Sequence, residues 1–136
     1  MTRQYEMALA AFALGRRYEV GDSVAMDLPT AARFYLQAAL RDLPEAQHAL
    51  GFMHMTGEGV PCNPEIAVGW LRAAAEGGLG EAQHNLAVLY AEGRGVRQNY
   101  REAVRWFYRA AANGSLDARE WLETRVGAAA QGAQLG

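Results

Sequence analysis

Every 36 residues this chain returns to the same pattern. Ala46–Gln47–His48–Ala49–Leu50–Gly51 comes back as Ala82–Gln83–His84–Asn85–Leu86–Ala87, Gly57–Glu58–Gly59–Val60 as Gly93–Arg94–Gly95–Val96, and Trp70 as Trp106. One period earlier, Leu14, Gly15, Tyr18, Gly21, Val24, Asp27, Ala31, Phe34 and Ala38 fill the same slots. A fixed period of this size marks a solenoid, a stack of like units that cannot bury their apolar faces alone. Such a stack is suited to holding a partner rather than converting a substrate.

Each unit reads as two helices. Ala82, Leu86, Leu89 and Tyr90 fall at i, i+4, i+7 and i+8, one face of a helix. Gly93 and Gly95 stop it, since glycine tolerates the left-handed conformation that closes a helix. Asn99 caps the second helix and Glu102, three residues on, completes a capping box. Asn63–Pro64 and Asp27 are the matching starts in the other units. Helices are thus expected over 81–91 and 100–112. The second-helix core positions are read as Ile66, Ala67, Trp70 and Ala74, then Ala103, Val104, Trp106, Phe107 and Ala110. Small residues at Ala38, Ala74 and Ala110 let backbones approach while neighbouring large side chains fill the layers between.

At 136 residues the chain makes one domain with a real core. Its formal charge of −2 gives no broad electrostatic case for nucleic acid. No apolar run reaches the roughly 18–20 residues of a membrane span. All thirteen basic residues are Arg, which with the excess of Ala points to a GC-rich, bacterial genome. The single Cys, Cys62, excludes an internal disulfide. Residues 1–6 lack the apolar stretch of a signal peptide. The compartment is therefore cytoplasmic by default, or periplasmic or secreted if an export signal once preceded this segment.

The pattern Ala-x3-Leu-Gly-x2-Tyr-x2-Gly-x-Gly-Val, a cap residue, Ala-x2-Trp and Ala-Ala-x2-Gly resembles the Sel1-like repeat, a cousin of the tetratricopeptide repeat. Unit three carries it as Ala82, Leu86, Tyr90, Gly93, Gly95, Val96, Ala103, Trp106, Ala110, Ala111 and Gly114. Unit two does so with His54 in the Tyr slot. In unit one, Ser23 replaces the second Gly, Phe34 the Trp and Asp42 the final Gly. The resemblance covers roughly residues 10–122. It implies an all-α fold, a right-handed superhelix of antiparallel helix pairs that serves as an adaptor without catalysis of its own. The expected organisation is a repeat domain over 1–126 (units 10–45, 46–81 and 82–117, then a capping helix over 117–126) and a flexible tail over 127–136.

If the units pack as tetratricopeptide repeats do, first-helix positions spared by the core line a concave groove. By register these are Phe12, Arg16 and Glu19; His48, Phe52 and Met55; His84, Val88 and Glu92; and Trp121 on the capping helix. Phe52, Met55 and Val88 are apolar where the repeat does not require it. Met and aromatic residues suit an adaptable surface for a partner segment. The competing readings are mutual packing within a tight groove and burial in a dimer.

His48 and His84 share a slot on stacked helices roughly 10 Å apart, too far for both to ligate one metal, and no Cys or acidic residue is read as repeating beside them. His54 is read as packed with a satisfied ring nitrogen. The Gly-x-Gly turns follow helices rather than strands and lack a following Lys, so they are turns and not phosphate loops. Cys62 has Met26 and Gln98 as counterparts and reads as an incidental surface thiol. Arg97, Arg101, Arg105 and Arg109 step by four, a basic stripe available to Glu102, Glu120 and Glu123, to solvent, or to an acidic patch on a partner. No catalytic, cofactor-binding or metal-ligating set emerges. The expected partner is a protein or peptide, with self-association through the groove or an open end as the alternative, and with no membrane insertion.

Overall fold

A computed structural model describes residues 2–135, with side chains as far as Arg125. Among them are seven α-helices and no strand: α1 (Arg3–Val20), α2 (Leu28–Ala39), α3 (Pro44–Thr56), α4 (Pro64–Glu76), α5 (Gly80–Glu92), α6 (Tyr100–Ala112) and α7 (Leu116–Leu135). The main contacts run between consecutive helices, α1 on α2, α2 on α3 and so on to α7. That is the wiring of an all-α solenoid. The expected tail over 127–136, and the end of the capping helix at 126, lie outside the described side chains.

Local chemistry explains the boundaries. Asp27, Asn63 and Asn99 each turn a side-chain oxygen onto the amide three residues later, at 3.1 Å in all three units. The capping box at Asn99 is only half formed. The Glu102 carboxylate accepts from Arg105 at 3.1 Å instead, and the Asn99 amide donates to the Tyr90 carbonyl at 2.9 Å. First helices begin two residues earlier than Ala46, Ala82 and Ala118. Those at Leu43 and Leu79 have no side-chain cap. The compensation is a repeated buried bond: Gln47 donates to the Ala39 carbonyl (3.2 Å) and Gln83 to that of Ala75 (3.0 Å), closing the preceding second helix.

Two core clusters form. One joins α1, α2 and α3 and is largely Ala, with Tyr35, Leu43, Leu50 and Met53; the other runs from Val68 and Leu71 to Leu122 and holds Leu86, Leu89, Trp106 and Phe107. Tyr35, Leu71 and Phe107, one period apart, are almost wholly buried and drive the pairing of helices within each unit. Gly51 makes room for Leu71: a Cβ on it would sit 2.9 Å from that side chain. Two sequence readings change here. Ile66 is exposed, and Val68 and Leu71 carry the core in its place. Leu14, in the slot of the buried Leu50 and Leu86, is partly exposed because no unit covers α1 from outside. Phe34, Trp70 and Trp106 all pack at the seam between helices, Trp106 the most deeply.

The inter-helix loops reach across units. At Gly59 (φ 77°) a Cβ would lie 2.6 Å from the Leu28 carbonyl oxygen, and at Gly95 (φ 71°) it would collide with the Pro64 carbonyl. Each loop therefore sits on the first turn of the preceding unit's second helix. Ser23 takes the same left-handed backbone (φ 65°) with a side chain, since no earlier second helix lies against it.

Candidate functional site

First helices share one side of the stack, and along it runs a groove of about 800 Å³. Phe12, Arg16 and Glu19 of α1 wall one end, Glu45, His48 and Ala49 of α3 and Gly80–Glu81 of α5 the middle, and Asn113–Asp117 the other end. Beside it a smaller recess of about 270 Å³ is bounded by His48, Phe52, His84, Asn85 and Asp117. Of the residues expected to line the concave face, the structure brings together Phe12, Arg16, Glu19, His48, Phe52 and His84. Met55 and Val88 are half-buried against the core of units two and three. Trp121 stacks on Phe107 with ring centroids 4.0 Å apart, and the Arg125 guanidinium lies 4.6 Å from the centre of the Trp121 ring. Glu92 is exposed at the end of α5, apart from both hollows.

At the α1 end, Phe12 packs on Tyr35 with ring centroids 5.6 Å apart, and the Arg16 guanidinium lies 5.9 Å over Phe12. The Tyr35 hydroxyl, the one polar point on a buried ring, donates to the Glu19 carboxylate at 3.0 Å. Burial and that carboxylate both push the Tyr35 phenol well above its ordinary range, so it remains a donor.

In the middle, Asn85 bridges the two histidines. Its amide nitrogen lies 3.0 Å from His48 Nε2 and its oxygen 3.3 Å from His84 Nδ1. An amide NH2 only donates, so in this orientation His48 Nε2 accepts and the His48 proton sits on Nδ1. That nitrogen faces the Glu81 carboxylate at 3.9 Å. By the same reasoning His84 donates from Nδ1. The polarity runs one way, from His84 through Asn85 and His48 to Glu81. Burial lowers the His48 pKa, and the Glu81 charge offsets this only in part.

The reading that no acidic residue repeats near the histidines is corrected here. Glu45, Glu81 and Asp117 recur at 36 residues, each in the first turn of a first-type helix, where a carboxylate complements the helix dipole. That spacing was present in the sequence. Asn85 offered no such signal, because Ala49 holds its slot in unit two. Among the described residues no three His, Cys, Asp or Glu side chains converge as a metal cage would.

Elsewhere, His54 is half-buried and its Nδ1 has no hydrogen-bond partner. In unit three the Tyr90 hydroxyl in that slot accepts from Arg72, whereas the position equivalent to Arg72 is Leu36 for His54. Cys62 is exposed, and its thiol donates to the Met55 carbonyl (3.4 Å), as Gln98 does to Ala91 (2.8 Å); both tie the loop to the end of a first helix. In the Arg stripe, Arg105 pairs with Glu102, and Arg109 lies 4.6 Å over the Trp106 ring.

Comparisons with known proteins agree with this architecture. The Sel1 repeat model matches three consecutive stretches, residues 8–43, 44–79 and 80–115. No curated protein sequence matches the chain. Among solved structures, c5321, a protective antigen of uropathogenic Escherichia coli with an SLR fold, aligns at a TM-score of 0.82 and 36% identity over 87% of this chain. A Sel1 repeat protein from Oxalobacter formigenes aligns at 0.81 and 34% identity, also over 87%. The chain spans 26% and 49% of those two proteins. Cysteine rich protein B of Helicobacter pylori shares the fold at 0.71 and 19% identity, over 89% of this chain and 98% of its own. The chain belongs to the Sel1 repeat family.

Proposed function

We propose that this protein is a non-catalytic adaptor whose concave groove holds a segment of a protein partner. Sel1 repeat proteins are in general scaffolds for protein interaction. The observation that carries the reading is the groove itself, continuous from Phe12 on α1 to Asp117 on α7. It is long enough for an extended peptide, and it mixes aromatic area with fixed polar groups, as recognition grooves do. Phe52, an aromatic side chain 47% exposed beside it, has no packing role that accounts for it. Self-association by stacking onto α1 in the repeat register would, by equivalence with Gly59 and Gly95, bring a carbonyl against the Ser23 Cβ.

A photo-crosslinking residue at Phe52, compared with one at the convex Tyr108, tests this in cells of the native host. The expected result is a discrete partner adduct from position 52 and none from 108. Adducts confined to the convex side would refute the assignment.

A further inference from the structure

The groove carries charge as well as shape. Four carboxylates line it, Glu19, Glu45, Glu81 and Asp117, against a single guanidinium, Arg16. The protein does not neutralise this surface from within. Its densest positive charge, Arg97 to Arg109, sits on or just before α6, and none of it reaches the groove. Burial holds His48 towards its neutral form, so the middle of the groove gains no cation there.

Three of the carboxylates form a ladder, because Glu45, Glu81 and Asp117 occupy one slot on successive stacked helices. Asn85 of α5 meets His48 of α3 at 3.0 Å, which sets the two histidine-bearing helices side by side along the groove. An extended peptide lying along it would pass the rungs in turn, with Phe12 and Phe52 beside its path.

We infer that the partner segment seated in this groove is cationic, an extended peptide whose Arg or Lys side chains pair with Glu45, Glu81 and Asp117. The inference rests on the groove being the docking surface and adds the chemistry of its occupant. Arg meets the site best, since its planar fork pairs with carboxylates and its face stacks on rings such as Phe52.

Fluorescence anisotropy with defined peptides tests it. The probe carries arginines distributed through a proline background. One control replaces them with glutamine, and another with glutamate. The arginine peptide is expected to bind about tenfold more tightly than the glutamine one, with no binding of the acidic peptide. The double variant E81Q/D117N, isosteric at two exposed positions, should lose about tenfold for the arginine peptide, and R101A/R105A on α6 should leave binding unchanged. Equal affinity for the arginine and glutamine peptides, or binding indifferent to E81Q/D117N, overturns the inference. A partner adduct at position 52 in cells, together with failure of the arginine peptide, would remove the cationic ladder and keep the scaffold. Loss of the adduct would remove the scaffold reading itself.

Discussion

Ser23 and Asp42 hold φ values of 65° and 62°, in slots where the other units place Gly59 and Gly95, or Gly78 and Gly114. A non-glycine residue there costs about 1–2 kcal/mol, and glycine returns part of that through the greater freedom of its unfolded chain. Ser23→Gly is therefore expected to stabilise the fold by about 0.5–1 kcal/mol in denaturant melts. Gly95→Ala should destabilise by more than about 2 kcal/mol, because strain adds to collision with the Pro64 carbonyl. His48 sets a pH dependence of known sign. Burial depresses its folded pKa below 6.5, so the unfolded chain takes up the proton first. The stability from neutral His48 is complete above pH 6.5 and is lost as pH falls through the lower folded value. Denaturant midpoints should thus drop as pH falls below about 6.5, and His48→Gln should flatten that slope. An unchanged slope in the variant would show that other groups govern it.

Helix ends obey local rules, which is why they were legible. Asn99 caps α6 through a bond to an amide three residues away, and Asn99→Ala is expected to cost about 1 kcal/mol. Glu102→Ala should leave that cap intact, its carboxylate being engaged with Arg105. Which face of α4 turns inward was less legible. Ile66 and Leu71 are both large and apolar, and only the stack of neighbours decides between them. Leu71→Ala should lose about 2–5 kcal/mol and Ile66→Ala under about 0.5, a contrast that thermal or urea unfolding reads directly. The groove divides along the same line. The positions of Phe12, Arg16, Glu19, His48, Phe52 and His84 follow from register alone. Asn85 breaks the period, and its bridge between two histidines depends on contacts between units that no single-helix pattern encodes. Met55 and Val88 look spare within one helix but are covered by the packing of units two and three.

Taken whole, the stack is unevenly built. Its amino-terminal cluster is made mostly of Ala side chains, while the carboxy-terminal one holds Leu71, Leu86, Leu89, Trp106 and Phe107. Repeat arrays gain stability from each unit and each interface, so the leaner end opens first. Amide exchange is expected to be faster in α1 and α2 than in α5 and α6, with α4 closer to the slow group; uniform protection would contradict this. The glycine seats at 59 and 95 bear also on how such an array can grow. A copy grafted upstream in register would press a carbonyl against the Ser23 Cβ, so elongation in that direction first demands a glycine at that one position.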